Sequence, residues 1–353
     1  HRHHADGGRW IAHHVALGGM FPMVPVFTFT MPTTILSALV YNLRYEAPGI
    51  VSVELRPATP DTVFPPHSAG SHIDLHLGNG LVRSYSLINP TTNSQRYVLG
   101  VLKDRRSRGG SKYVHEQLRV GDVLDISIPR NNFPLEENAQ HSVLLAGGIG
   151  ITPMLCMLDR LISLGLSADV LYCARSRREA AFLHDLESMP SGQIRLRYHF
   201  DDEVGAPPDL RMLLTGYPDE THFYGCGPGP MLDAFHQACS SLGYAHVHLE
   251  RFAALEQNGA PPINAAGCTV ELRRSARTIQ VPAGSTILDA MIDAGIIPSY
   301  SCKEGICGAC ETKVLAGEVD HRDSILSQEE RATSRSMMIC VSGCRSDSLV
   351  LDA

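Results

Sequence analysis

Nine residues near the C-terminus constrain this chain more than any other stretch. Cys302, Cys307 and Cys310 fall at the spacing C-x4-C-x2-C, and Cys340 follows thirty residues later. Thiolates in that spacing ligate a [2Fe–2S] cluster, three from one loop and the fourth from a separate segment. Gly305 and Gly308 let the loop backbone turn closely around an inorganic core that a β-carbon would crowd. The competing readings are scattered structural thiols or a zinc site. Zinc favours paired C-x2-C halves, and only one such half is present. Cys302, Cys307, Cys310 and Cys340 are the expected ligands, and Cys344 is not expected among them. A cluster of this kind carries one electron at a time, so the rest of the chain is expected to feed it.

At 353 residues the chain exceeds one ordinary core, and two or three domains are expected. Apolar residues at 44% and charged residues at 19% describe a soluble globular protein. A net charge of -7 argues against nucleic acid as a partner, and no run of eighteen apolar residues offers a membrane span. Outside the cluster motif, Cys156, Cys173, Cys226, Cys239, Cys268 and Cys344 show no framework regularity. Reduced thiols in a cytoplasmic protein are the expectation.

Residues 1–33 differ from the rest. They hold His1, His3, His4, His13 and His14, then an apolar stretch broken by Pro22, Pro25 and Pro32. A disordered extension or a leader is expected there, with a metal-binding histidine tract as the alternative. From about residue 34 the hydrophobic period becomes two. Residues 50–55, 71–77, 81–87, 97–102 and 123–128 read as strands, with one helix near 111–118. Short strands with turns between them predict a small antiparallel β-barrel. This part contains Arg83-Ser84-Tyr85-Ser86 and Gly109-Gly110-Ser111-Lys112. An Arg fork, and a Ser and Lys at a helix start after two glycines, suit a phosphate. Tyr85 adds a flat face with a hydroxyl, and the set together points to a phosphorylated flavin.

The next segment alternates strands (141–146, 168–173, 193–200, 222–224, 246–249) with helices (154–164, 178–186, 231–242), which predicts a doubly wound parallel sheet. After the first strand, Gly147-Gly148-Ile149-Gly150-Ile151-Thr152-Pro153 opens a helix and lets a diphosphate approach its N-terminus. Tyr224-Gly225-Cys226-Gly227-Pro228 lies at another carboxyl end, where such sheets bind ligands. Residues 254–266 read as a polar linker. Beyond it come a hairpin (268–272 and 278–281), a helix over 286–294 capped by Ser285, the cysteine loop and three closing strands.

Over roughly residues 34–353 these motifs and their order resemble the phthalate dioxygenase reductase family, which includes vanillate O-demethylase reductases. The resemblance rests on R-x-Y-S at Arg83, Tyr85 and Ser86, G-G-S-K-Y from Gly109, residues 129–135, G-G-I-G-I-T-P from Gly147, Y-x-C-G-P from Tyr224, and Leu249-Glu250-Arg251-Phe252. It implies an FMN-binding β-barrel (34–138), an NAD(P)-binding α/β domain (139–253), a linker (254–266) and an α+β plant-type ferredoxin domain (267–353). It implies FMN with Arg83, Ser111 and Lys112 on its phosphate, and Ser86 near the flavin N5. Cys226 would border the nicotinamide and Phe252 the isoalloxazine. The implied activity is NAD(P)H-dependent electron transfer through FMN and the cluster to a Rieske-type oxygenase acting on an aromatic acid. The alternatives are the reductase portion of a self-sufficient cytochrome P450, and a non-enzymatic redox sensor. NADH is the expected main donor. Arg175, Arg177 and Arg178, where an adenosine ribose would lie, leave NADPH measurable. Glu318, Asp320, Asp323, Glu329 and Glu330, opposed only by Arg322, are expected to form an acidic docking edge for the oxygenase.

Overall fold

Alternating burial turns the first described segment into strands. The computed structural model describes residues 34–353 except Ser94, Arg106, Ser191 and residues 255–258. The histidine-rich segment 1–33 and the centre of the expected linker lie outside the described residues. β1 (Ile35–Ala47), β2 (Ile50–Pro57), β3 (His72–His76), β4 (Val82–Ser86), β5 (Tyr97–Leu102) and β6 (Val123–Ser127) form one antiparallel sheet, in the order β4-β3-β6-β1-β2-β5. Its two edges meet where Leu87 bridges Leu99 and the Ile88 N–H donates to the Val98 carbonyl at 2.9 Å. Val40, Val53, Leu55, Ile73, Leu75 and Ile126 point inward and are fully buried, because side chains at every second position share a face. Helix α1 (Gly110–Glu116) joins β5 to β6.

β7 (His141–Gly147), β8 (Ser167–Ala174), β9 (Ile194–Phe200), β10 (His222–Cys226) and β11 (Val247–Glu250) form a wholly parallel sheet in the order β11-β10-β7-β8-β9. Helices α2 (Ile151–Leu164), α3 (Leu183–Ser188), α4 (Asp201–Val204), α5 (Leu210–Leu213) and α6 (Gly229–Ser241) make the crossovers. On α2, Ile151, Met154, Leu155, Leu158 and Leu161 recur at helical spacing and are buried. The strand order reverses between β7 and β10, which opens a crevice at their carboxyl ends. The helix expected over 178–186 is instead a 3-10 turn (Arg177–Glu179) followed by α3. Phe182 breaks it by taking a left-handed φ of 62°, which sends its ring into the core.

The third sheet, β13-β12-β18-β14-β16, is mixed: β12 (Cys268–Leu272) pairs antiparallel with β13 (Arg277–Val281) and parallel with β18 (Ser348–Leu351). β14 (Glu311–Ala316) and β16 (Ser336–Met338) complete it, and β15 (Val319–Asp320) pairs with β17 (Gly343–Cys344) alongside. Helix α7 (Ile287–Asp293) is capped by Thr286 rather than Ser285: its hydroxyl accepts from the Asp289 N–H at 3.0 Å. Helix α8 (Gln328–Thr333) opens on a capping box of Ser327 and Glu330.

One further expectation fails here, and another is narrowed. Cys268 and Cys344 are joined by a disulfide, because β12 and β17 bring their Cα atoms to 6.4 Å. Part of the acidic run is turned inward or paired, while Glu318, Glu329 and Glu330 stay exposed. Asp323 is fully buried and accepts from the Ile325 and Leu326 N–H groups, with Arg331 nearby at 3.7 Å. Asp320 pairs with Arg322 at 2.7 Å and Arg345 at 3.9 Å, and Glu330 is spent on its cap.

The first two sheets share apolar packing: Ala47, Ile50, Ala69 and Phe133 join one core with Tyr172, Phe182 and Tyr224. The third sheet closes a core of its own. Among the described residues no helix is long and apolar enough to cross a membrane.

Candidate functional site

The cysteine loop leaves α7 and turns through residues 301–310 before β14. Its four thiols fall into two touching pairs, Cys302 with Cys307 and Cys310 with Cys340, and all four are buried. Hydrogen bonding from the Cys307 thiol, with backbone N–H groups of Ile306, Glu304 and Cys307, pulls Cys302 below the ordinary thiol range, outweighing burial. The Glu304 N–H stands 3.3 Å from Cys302 Sγ. Two dithiol pairs with amides aimed at sulfur would suit the two irons of such a cluster. Gly308 takes a φ of 75°, and a β-carbon there would meet Asn132 Nδ2 at 2.9 Å.

That contact belongs to a seam between the loop and the first sheet. Asn132 Nδ2 donates to the Cys307 carbonyl at 3.1 Å. Glu304 reaches Arg108 at 2.8 Å and Arg83 at 3.7 Å. Asp74, on β3, accepts from Arg130 at 2.7 Å and from Ser84 at 2.6 Å, with the Ser301 side chain beside it. Burial pushes the Asp74 carboxyl up, but the Arg130 charge and these hydrogen bonds outweigh it and hold the group below its usual range. The seam is therefore polar and charge-paired, with a carboxylate on each side.

Arg83 also lies across the start of α1, where a β-carbon on Gly110 would meet its Nε at 2.7 Å. The N–H groups of Gly109 and Lys112 converge on Ser107 Oγ at 3.2 and 3.3 Å, and Ser111 Oγ donates to the same hydroxyl at 3.0 Å. Ser107 thus holds the position that an anion's oxygen would take, a role that its place outside the G-G-S-K run concealed. Lys112 is exposed and 3.9 Å from Glu116. Tyr85 is buried enough to be pushed up to about 12.

At the far end of β4 three elements converge. Parallel pairing aligns Cys226 of β10 with Glu250 of β11, and Cys226 Sγ lies 3.9 Å from Glu250 Oε2. Ser86 Oγ is buried beside the same carboxyl and has no well-aligned hydrogen-bond partner, so it can serve a bound ring. Burial raises Glu250 to about 8, against the pull of Cys226 and Ser86, and burial holds the Cys226 thiol well above its ordinary range. Cys226 is therefore a neutral thiol. Glu250 escaped the sequence reading as a site residue, although it sits inside the quoted Leu249–Phe252 motif. Gly150 packs against the Cys226–Gly227 backbone, where any β-carbon would lie 2.1 Å from the Cys226 carbonyl oxygen. This close approach joins the Gly147–Gly150 turn to the Cys226 turn at the crevice. Thr152 is buried and donates to the Ile149 carbonyl at 2.9 Å, and Pro153 fills the first turn of α2. Phe252 stands 39% exposed beyond β11. Arg175 and Arg178 are exposed after β8, while Arg177 pairs with Glu203 at 3.1 Å and covers the Phe200 ring.

The 2Fe-2S iron-sulfur cluster binding domain matches residues 270–345. Phenoxybenzoate dioxygenase subunit beta of Ectopseudomonas oleovorans is 46% identical, covering 90% of this chain and 97% of its own length. Vanillate O-demethylase oxidoreductase of a Pseudomonas strain is 41% identical over 90% of this chain and 99% of its own. Among solved structures, phthalate dioxygenase reductase superposes with a TM-score of 0.65 at 34% identity, over 90% of this chain and 98% of that one. The chain belongs to the phthalate dioxygenase reductase family. Like its relatives it is an oxidoreductase with a [2Fe–2S] domain in a multidomain, ferredoxin-reductase-like fold. An intact type IV self-sufficient cytochrome P450 monooxygenase superposes with a TM-score of 0.81 at 37% identity, and this chain spans 41% of that one.

Within this family member, Glu250 has a consequence for stability. Its folded pKa of about 8 stands above the unfolded carboxyl value of about 4.3. Between those values the folded state binds the extra proton, so stability falls as pH rises through that window and levels off above it. At about 1.4 kcal/mol per unit, a shift of this size corresponds to a loss of up to about 5 kcal/mol. Denaturant titrations from pH 5 to 9 should show that fall in the native chain and a flatter profile for Glu250→Gln. Parallel profiles would mean that the Glu250 carboxyl is ionised throughout.

Proposed function

We propose that this chain is the reductase component of a two-component oxygenase system, passing electrons from NADH through FMN and a [2Fe–2S] cluster to a Rieske-type aromatic oxygenase or O-demethylase. The observation that carries the reading is the seat of the cysteine loop on the strand that bears Arg83-Ser84-Tyr85-Ser86. The proposed units are an FMN-binding barrel (34–138), an NAD(P)-binding α/β domain (139–253), a linker (254–266) and a ferredoxin-like domain (267–353), with 1–33 as an extension. A cytoplasmic setting, where NADH is available, belongs to the same reading.

Bound flavin supplies the step from two-electron to one-electron chemistry, since hydride brings a pair and the cluster takes single electrons. The chain's own residues supply binding and orientation. Arg83 and the amides of Gly109, Gly110, Ser111 and Lys112 offer a cationic, donor-rich place for a phosphate, with Ser84 fixed by Asp74 behind it. Tyr85 would give the ring a flat neighbour, and the exposed Phe252 would cover its outer face. Gly147, Gly148, Gly150, Thr152 and Pro153 shape the crevice for the dinucleotide phosphates, and Gly227 lets the Cys226 turn lie against them. Ser86 would donate at the edge of the flavin ring, the neutral Cys226 thiol would line the nicotinamide side, and Glu250 would hold a proton there near neutral pH. Cys302, Cys307, Cys310 and Cys340 would hold the two irons.

The P450 alternative draws on the high structural overlap with part of an intact type IV self-sufficient cytochrome P450 monooxygenase. Higher sequence identity to relatives matched over nearly their whole length favours the separate reductase. A redox sensor without turnover would fail a simple assay, NADH-driven reduction of ferricyanide or cytochrome c.

Replacing Cys340 by Ala should abolish the iron–sulfur absorbance and cytochrome c reduction, yet leave a co-purified FMN reducible by NADH. Co-purified FAD, or an intact cluster in the variant, would contradict the reading. For the donor, kcat/KM should favour NADH with measurable NADPH turnover, because Arg175 and Arg178 stay exposed beside the expected ribose position. A preference for NADPH would reverse that assignment.

A further inference from the structure

The bond between Cys268 and Cys344 spans 76 positions of sequence, and all four expected cluster ligands lie inside the loop it closes. It ties β12, the first strand of the third sheet, to β17, which follows Cys340 by three residues. Around it the backbone is braced by Asn264, which is buried. Asn264 Oδ1 accepts from the Cys344 N–H at 2.8 Å and lies 3.7 Å from Cys268 Sγ. Asn264 Nδ2 donates to the Ser285 carbonyl at 2.8 Å, one residue before the cap of α7. The pair therefore sits where the entry to the domain, the start of its helix and the segment after the fourth ligand meet.

We propose that Cys268 and Cys344 form a reversible thiol–disulfide pair whose oxidation staples the cluster-binding fold closed around its four ligands. The pair is selective by position. Cys344 is partly exposed and open to attack, whereas Cys156, Cys173, Cys226 and Cys239 are buried in other cores. Burial pushes the thiols of Cys156, Cys173 and Cys239 up to about 12, which leaves them unreactive near neutral pH. The oxidant is a low-molecular-weight disulfide. One protein thiolate attacks it, giving a mixed disulfide and releasing one small thiol. The second protein thiol then displaces the other small thiol and forms the internal S–S bond. Two protein thiols are oxidised, one small disulfide is reduced to two thiols, and a dithiol reductant reverses the exchange. A closed loop of this length restricts the opened chain, so it slows the excursions through which ligands let go of iron.

The part concerning iron rests on the cluster assignment above, whereas the pairing does not. The test uses the holoprotein incubated with tris(2-carboxyethyl)phosphine or with oxidised glutathione, quenched in acid and alkylated under denaturing conditions. Peptide mapping should give a Cys268–Cys344 cross-link after oxidised glutathione, and two alkylated cysteines after the phosphine. Iron release to a chelator, followed at the cluster's visible absorbance, should be at least about fivefold slower in the oxidised sample. Cys268→Ser should release iron at one fast rate in both conditions, while Cys239→Ser should keep the redox response. Both cysteines alkylated after oxidised glutathione, or a cross-link with no effect on iron release, would overturn the proposal. If Cys268→Ser fails to fold, the two native samples decide alone. A starting protein without cluster absorbance would fail the functional reading instead, and the peptide map would still decide the pair.

Discussion

The arrangement depends on a polar seam. The first two sheets are joined by apolar side chains in a shared core, whereas the third keeps its own core and meets the first through Glu304, Arg83, Arg108, Asn132, Asp74 and Ser301. Apolar burial is indifferent to direction, and charge-assisted hydrogen bonds are not. A seam built this way fixes the orientation of the cysteine loop against the Arg83 strand. Electron transfer between two bound groups is governed by such placement. Arg83 is the hinge of the account, since it faces both the start of α1 and the Glu304 carboxylate.

The second convergence has a different logic. Ser86, Cys226 and Glu250 come from two sheets and three strands, and each is kept neutral or unpartnered by burial rather than by ion pairing. The convergence places one buried carboxyl raised to about 8 beside a buried hydroxyl and a neutral thiol. The protein thus separates its polar groups: charges at the seam and beside α1, neutral groups where Ser86, Cys226 and Glu250 meet.

Much of this was legible in the sequence because local rules carried it. Period-two alternation placed β2 to β6, the G-G-I-G-I-T-P run placed the turn into α2, and cysteine spacing marked the loop. What escaped was set by long-range contacts. Glu250 is an ordinary carboxylate in the sequence until parallel pairing puts it beside Cys226. Ser107 and Asn132 acquire their roles only when the chain folds back on α1 and on the cysteine loop. The acidic run is narrower than its sequence for the same reason: Arg331 and Arg345 meet Asp323 and Asp320 from positions that a count along residues 318–330 does not include. Cys268 and Cys344, far apart in sequence, gave no spacing signal, yet neighbouring strand pairs bring them together.

The central claim is that electrons cross from the flavin site to the cysteine loop at this seam, within one chain. Rapid mixing of the holoprotein with NADH, freeze-quenched and followed by the electron paramagnetic resonance of the reduced cluster, measures that crossing directly. The doubly substituted Asn132→Ala, Glu304→Gln protein should bleach its flavin at the native rate but reduce its cluster at least about tenfold more slowly, the worth of one charge-assisted contact. Cluster reduction at the native rate in that variant would contradict the account.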